Sequence, residues 1–191
     1  MLFSHNSDVA VKFLQGISDL NLQLKFFTPN GLNPKFITKQ VAELMFKTGF
    51  VDPRLSLETI NDKTHSIVDN KVKLKDFENA FCNLTSAGYK PNEISVYILA
   101  GLPTETIEDV YRSVETISNY KVRIRLCEMS IVPGSKLFDS LSLDEKVDPL
   151  LHNNTTFLFT GIPGKVSPWC SYNEFQQLKN YVKYVNQKNL S

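Results

Sequence analysis

Val96-Tyr97-Ile98-Leu99-Ala100-Gly101-Leu102-Pro103-Thr104-Glu105-Thr106 is an apolar run that enters a Gly-Leu-Pro turn and then a capped helix. The near-continuous apolar character of Ile94 to Ala100 predicts a strand buried on both faces, as in a parallel sheet. Thr106, with Asp109 three residues on, predicts the cap of a helix lined by Ile107, Val110, Tyr111, Val114 and Ile117. Ligands of open parallel α/β sheets bind outside the carboxyl ends of the strands, so this junction is a candidate ligand edge.

Outward from it, the same alternation repeats. Ser7 and Asp8 open a helix carrying Val9, Phe13, Leu14 and Ile17. Leu22 to Phe27 reads as a short strand ending in the turn Thr28-Pro29-Asn30-Gly31. Asn33-Pro34 predicts an N-cap followed by proline, and Ile37, Val41, Leu44, Met45 and Thr48 share one face of the helix that Gly49 stops. Arg54 to Thr59 alternates as a second strand, with Leu55 and Leu57 on one side and Arg54, Ser56 and Glu58 on the other. A polar loop, Asn61 to Lys73, precedes a helix bearing Phe77, Ala80, Phe81 and Leu84, which ends at Ala87-Gly88.

After the opening strand, Val122 to Ser130 reads as a fourth. Beyond Lys136 the pattern loosens: a helical piece at Leu137 and Phe138, a loop at Leu150 to Asn154, and a last short strand or edge at Thr156 to Thr160. Ser171-x-x-Glu174 predicts a capping box opening a terminal helix with Phe175, Leu178, Tyr181, Val182 and Val185 on one face. Strands alternating with helices imply an α/β fold with parallel strands and crossover connections. A complete eight-fold barrel needs roughly 250 residues. A chain of 191 residues is a partial barrel or a small open sheet.

Net charge is +1, from 21 basic and 20 acidic residues, which gives no electrostatic case for a nucleic-acid or membrane-surface partner. No apolar run approaches the roughly 20 residues of a spanning helix. Asn6, Ser7 and Asp8 interrupt any apolar leader, and a cytoplasmic location is the default expectation. Cys82, Cys127 and Cys170 lie far apart and form no Cys-x-x-Cys pair, an arrangement suited to packing rather than to a disulfide framework or a local metal site. His5, His65 and His152 stand at no ligand spacing.

In such a sheet the strand carboxyl ends share one rim. Reading along it gives Thr28, Asn30 and Gly31, then Ser56, Glu58 and Thr59, then Gly101, Leu102 and Pro103, then Glu128 and Ser130. Hydroxyl, amide and carboxylate groups beside apolar walls suit a ligand with hydroxyls, an amino group and a flat ring. Each element has a plain structural alternative: the Gly-Leu-Pro turn as a turn, Glu58 as an ion partner of Arg54 or Arg125, the serines satisfied by nearby backbone.

The order and spacing of Phe27-Thr28-Pro29-Asn30-Gly31-Leu32, Leu44-Met45 through Gly49-Phe50, Arg54 through Thr59, Asn83-Leu84 with Ala87-Gly88-Tyr89, and Val96 through Thr106 resemble the later two thirds of a radical S-adenosylmethionine (radical SAM) enzyme core. Glu128 through Ser135 and Asp148 through Asn154 continue the resemblance. The most similar subgroup often carries an N-terminal cobalamin-binding domain. The resemblance implies a partial parallel (β/α) barrel, truncated relative to the TIM-like radical SAM core. It implies S-adenosylmethionine bound against a 4Fe-4S cluster and cleaved to a 5′-deoxyadenosyl radical, and it leaves open whether cobalamin takes part in the complete enzyme.

By that resemblance the cofactor-binding positions are Asn30, Ser56, Glu58, Gly101, Leu102, Pro103, Glu128 and Ser130. Thr104 departs from the glycine common in relatives. The cluster-holding Cys-x-x-x-Cys-x-x-Cys loop is missing, so no metal ligand is assigned here. The expectation is a fragment: 1–140 as the C-terminal portion of the core, and 141–191 as an extension whose terminal helix packs on the barrel. A complementing N-terminal chain would carry the cluster motif, and the small-molecule substrate is not indicated. The strand at Leu24 to Phe27 would then present an open edge. The competing reading is a non-catalytic remnant or a SAM-binding module without redox chemistry. No Gly-x-Ser-x-Gly elbow or Gly-x-Gly-x-x-Gly loop supports a hydrolase or a dehydrogenase.

Overall fold

Three of the expected strands form and pair side by side: β1 (Arg54–Glu58), β2 (Ser95–Ala100) and β3 (Arg123–Glu128). The computed structural model describes residues 7–61, 64, 72–102, 104–130, 157–161 and 167–190. The sheet is open and parallel, in the order β1-β2-β3. Helices α1 (Ser7–Asp19), α2 (Lys39–Lys47), α3 (Leu74–Ala87) and α4 (Ile107–Ser118) alternate with the strands, and α5 (Phe157–Thr160) and α6 (Tyr172–Leu190) follow.

The helix caps match their sequence signatures. Thr106 Oγ1 accepts from Asp109 N–H at 3.3 Å while Asp109 accepts from Thr106 N–H at 3.0 Å. Ser171 and Glu174 form the same reciprocal pair at the start of α6. Asn33 caps only a single 3-10 turn, Pro34–Phe36, and α2 begins later under Thr38, whose hydroxyl accepts from Val41 N–H. The first helix is also turned from its expected face: Ala10 and Leu14 are buried, whereas Val9 and Phe13 stay exposed.

The alternation of β1 places Leu55 and Leu57 in the core with Val96, Ile98, Ala100 and Ile124, all nearly inaccessible. Helices α3, α4 and α6 pack against this side of the sheet. The opposite face carries Arg54, Ser56, Tyr97, Leu99, Arg125 and Cys127, only partly buried. The expectation that β2 is covered on both faces is therefore corrected: Tyr97 and Leu99 front an open side, because no described layer lies over it.

Leu22 to Phe27 is not a strand. Phe26 alone makes a parallel bridge, to Phe50, with Phe26 N–H donating to Gly49 and Val51 N–H donating back. The ladder cannot extend toward β1, since Asp52 adopts φ +54° and Pro53 has no N–H to offer. The chain rejoins the sheet at Leu32, which brackets Leu55 through hydrogen bonds with Arg54 and Ser56.

The far edge of β3 is capped at Ile124 by a side chain. Asn186 of α6 accepts from Ile124 N–H and donates to Ile124 C=O, both at 2.8 Å, and Asn189 donates to Val122 C=O. A carboxamide thus stands where the backbone of a next strand would. Phe157–Thr160, expected as a strand or edge, is a short helix. Asn186→Ala leaves one donor and one acceptor of a buried strand without partners, and is expected to cost about 1–2 kcal/mol in chemical denaturation. A loss below a few tenths of a kcal/mol would show that the edge is not held this way. The expected features at Leu137, Phe138 and Leu150 to Asn154, and most of the loop Asn61 to Lys73, lie outside the described residues, as does Thr156.

Candidate functional site

The exposed sheet face ends in a cleft of about 280 Å³ lined by Pro29, Asn30, Ser56, Glu58, Tyr97, Ile98, Leu99 and Cys127. Three of the expected binding residues, Asn30, Ser56 and Glu58, therefore meet in one place. Two features put them there. The turn Thr28-Pro29-Asn30-Gly31 is tied to the sheet by Tyr97, whose hydroxyl donates to Pro29 C=O at 2.6 Å, and by Thr28, whose hydroxyl accepts from Arg54 N–H. Gly31 closes against β1, leaving no room for a Cβ beside Ser56 Oγ and the Tyr97 ring.

The second feature is a bulge at the end of β1. Ser56 pairs with Tyr97 and Glu58 with Ile98, so Leu57 is the extra residue. Glu58 has φ +69°, a left-handed conformation that is uncommon for a side chain with a Cβ. Bulges re-aim side chains at sheet rims, and strained backbone of this kind clusters at binding sites. Here it coincides with the only carboxylate among the described cleft-lining residues.

Beneath the cleft, toward the amino ends of the strands, lies an ionic floor. Asp52 accepts from Arg54 Nε at 2.8 Å and from Arg125 Nη2 at 2.7 Å, and Ser95 Oγ donates to it as well. Arg54 also donates to the Tyr97 hydroxyl at 3.2 Å. Burial pushes the Asp52 carboxyl up, but the Ser95 and Arg54 hydrogen bonds and the charges of Arg125 and Arg54 outweigh it, and the net shift is downward. Arg54 and Arg125 thus converge on Asp52. Burial raises the Cys127 thiol, which Arg125 opposes and Glu58 and Glu128 reinforce, so the sulfur is a neutral wall group at pH 7.

The other expected positions lie elsewhere. Glu128 forms an ion pair with Lys179 of α6, whose ammonium also sits 4.7 Å from the centre of the Phe175 ring. Gly101 and Leu102 are buried, Gly101 with φ +100° and with its open side filled by Leu158. Ser130 is half-buried past the end of β3, and Pro103 lies outside the described residues. Beside the Gly101 turn, Thr59 donates to the buried Glu105 carboxylate, and Trp169 Nε1 donates to Glu105 C=O at 2.7 Å.

Sequence reading missed Pro29, Tyr97, Ile98, Leu99 and Cys127 as cleft residues. A tyrosine in an otherwise aliphatic strand was the signal available, because its hydroxyl needs a partner when half-buried.

The donor set does not fit an iron–sulfur cluster. Cys82 is exposed, Cys127 half-buried and Cys170 buried, and no group of three His, Cys, Asp or Glu among the described residues could hold a metal ion. The three histidines lie outside the described residues. The cleft, by contrast, offers an amide, a hydroxyl and a carboxylate beside apolar walls, a set that fits the amino and hydroxyl groups of a nucleoside-type ligand. No described helix is long and apolar enough to cross a membrane.

An open parallel α/β sheet with its polar cleft at the strand carboxyl ends matches part of the TIM-like core of radical SAM enzymes. The solved structure of coproporphyrinogen III oxidase (HemN) from Escherichia coli, a radical SAM enzyme, superposes with a TM-score of 0.62 and 11% identity, over 95% of this chain and 38% of that one. Elp3 from the archaeon Methanocaldococcus infernus gives a TM-score of 0.55 and 12% identity, over 72% of this chain and 37% of that one. The radical S-adenosylmethionine methyltransferase TsrM from Kitasatospora setae, solved with cobalamin and a 4Fe-4S cluster bound, gives 0.50 and 20%, over 62% of this chain and 23% of that one. The chain thus spans less than two fifths of the length of each. No family model and no curated protein matches its sequence.

Proposed function

We propose that this chain is the S-adenosylmethionine-facing part of a radical SAM enzyme core, inactive by itself. The observation that carries the reading is the convergence of Asn30, Ser56 and Glu58 in one cleft at the strand ends of this fold. Glu58 accepts from the ligand's ammonium or ribose hydroxyls, Ser56 and Asn30 supply neutral hydrogen bonds, and Tyr97, Leu99 and Pro29 give apolar walls for a flat ring. The cluster that supplies the electron in the complete enzyme finds no ligand set here, so no electron-transfer step is assigned to this chain. The same reading leaves the use of cobalamin by the complete enzyme open, and the substrate is a small molecule of class not yet assigned.

A complementing chain carries the cluster ligands. The sheet side next to β1 supports this partner: the backbone groups of Lys25 and Phe27 have no hydrogen-bond partner among the described residues. Leu22, Leu24 and Phe27 are exposed beside them. A strand added there meets a ready template and ends at the rim that carries Pro29 and Asn30.

Calorimetric titration with S-adenosylmethionine tests the cleft. Glu58→Gln is expected to weaken binding about tenfold, the worth of one charge-assisted hydrogen bond. Undetectable binding of the unaltered chain at millimolar ligand overturns the reading and leaves an interaction role. Anaerobic reconstitution with iron and sulfide is expected to give no stable cluster absorbance with this chain alone. A stable cluster would overturn the assignment of its ligands to another chain.

A further inference from the structure

Glu58 stands in a conformation that its residue type disfavours, and the groups that hold it there lie outside the cleft. Thr59 N–H donates to Leu57 C=O at 2.8 Å across Glu58, whose φ is +69°. A three-residue turn with a positive φ at its centre is the rare, strained form of γ-turn. Nothing in Glu58 itself favours it, since left-handed backbone suits glycine, asparagine and aspartate rather than glutamate. Such a conformation persists where its surroundings over-determine it.

The surroundings here are Thr59 and Glu105, both buried. The Thr59 hydroxyl donates to the Glu105 carboxylate and accepts from Asn61 N–H at 2.9 Å, so it fixes the chain on the exit side of Glu58. On the entry side, Ser56 is fixed by its pairing with Tyr97. Glu105 belongs to the turn after β2 and is itself anchored: its N–H donates to Leu102 C=O at 3.0 Å, and Trp169 Nε1 donates to its C=O at 2.7 Å. Thr104 of the same turn donates to Thr64 at 3.2 Å, a second tie between this turn and the segment that leaves β1. Stranding a buried carboxylate is costly, so the Thr59 bond holds against the backbone strain beside it. Neither Thr59 nor Glu105 is among the described cleft-lining residues.

We infer that Glu105, acting through the Thr59 hydroxyl, is a positioning residue for the cleft: the bond between them holds the turn at the end of β1 in the conformation that brings the Glu58 carboxylate to the ligand. This rests on the cleft being the S-adenosylmethionine site, and it gives the buried carboxylate a role at a site it does not touch.

The test compares the unaltered full-length chain with Glu58→Gln, with Thr59→Val, which keeps the shape and removes the hydroxyl, with Thr59→Ser, which keeps the hydroxyl, and with Thr59→Val combined with Glu58→Gln. Calorimetric titration with S-adenosylmethionine reads the cleft. Nuclear magnetic resonance reads the Glu58 backbone, because a positive φ gives a strong intraresidue contact between amide and Hα protons. Thr59→Val is expected to lose that signature at residue 58 and to weaken binding about tenfold, as much as Glu58→Gln does. Adding Glu58→Gln to Thr59→Val should then weaken binding by less than about twofold more, and Thr59→Ser should restore both readouts. Losses that multiply to about 100-fold in the double variant, or a left-handed Glu58 retained in Thr59→Val, overturn the positioning role while the cleft assignment stands. Absence of binding by the unaltered chain overturns the cleft assignment and with it this role; the backbone signature then still decides whether Thr59 sets the Glu58 conformation. If Thr59→Val does not fold, Glu105→Gln, which keeps the shape and weakens the acceptor, takes its place in the same cycle: a loss of about threefold is expected, absent in the Glu58→Gln background, and a loss that persists there overturns the role.

Discussion

Gly31→Ala is expected to destabilise the chain by about 3 kcal/mol and to abolish ligand binding in the cleft. Gly31 has φ +76°, where a residue with a Cβ pays roughly 1–2 kcal/mol for the backbone alone. The added methyl would collide with Ser56 Oγ and crowd the Tyr97 ring at 3.2 Å. Ser56 Oγ has to change rotamer, and the Tyr97 ring cannot follow because its hydroxyl is fixed between Arg54 and Pro29. Relief comes from lifting the Thr28–Gly31 turn off the sheet, which carries Asn30 away from Ser56 and Glu58. Equilibrium denaturation measures the first effect and titration with S-adenosylmethionine the second. A loss under about 1 kcal/mol with binding intact would mean that the turn is not seated on β1 as described.

Asp52→Ala should cost nearly as much, about 2–3 kcal/mol. Removing one partner of a buried ion cluster strands the other charges, an effect of about 3–5 kcal/mol when fully buried. Here solvent reaches the cluster and reduces the penalty: the side chains are 15% (Asp52), 21% (Arg54) and 31% (Arg125) exposed. Alanine also inherits φ +54°, a conformation that asparagine tolerates better. Asp52→Asn therefore isolates the charge and should cost less than alanine.

The cluster also predicts a pH dependence. The native Asp52 carboxyl titrates below its ordinary value of 3.8. The folded state therefore holds its proton less tightly than the unfolded chain. This contribution is complete above the ordinary aspartate value and disappears as pH falls through the lowered native one. The acid limb of the stability curve should flatten in Asp52→Asn. An unchanged acid limb would mean that other carboxylates carry it.

Much of the architecture was legible along the chain, for reasons that can be named. Strands β1 to β3 announce themselves by local composition, and their helices by caps such as Thr106 with Asp109, because these signals act between residues a few positions apart. Leu22 to Phe27 read as a strand on the same grounds. It failed because strand formation needs a partner ladder, and Asp52 and Pro53 interrupt that ladder a long way downstream. Phe157 to Thr160 formed a short helix rather than a strand or edge, seated by contacts of Leu158 and Phe159 with distant residues.

At the cleft the division is similar. The polar residues of the rim could be picked out by type and position, and Asn30, Ser56 and Glu58 share a cleft lined also by Tyr97 and Cys127. Which rim residues face outward together, and which are spent on other work, was settled by contacts across the fold. Lys179 claims Glu128 and Leu158 covers Gly101, each from the C-terminal segment. Hydrophobic spacing and capping chemistry, being local, wrote the α/β alternation and the location of the rim into the chain itself. The identity of the cleft and its ionic floor arise from residues dozens of positions apart, and such neighbours are chosen only when the sheet and its bulge close on one another.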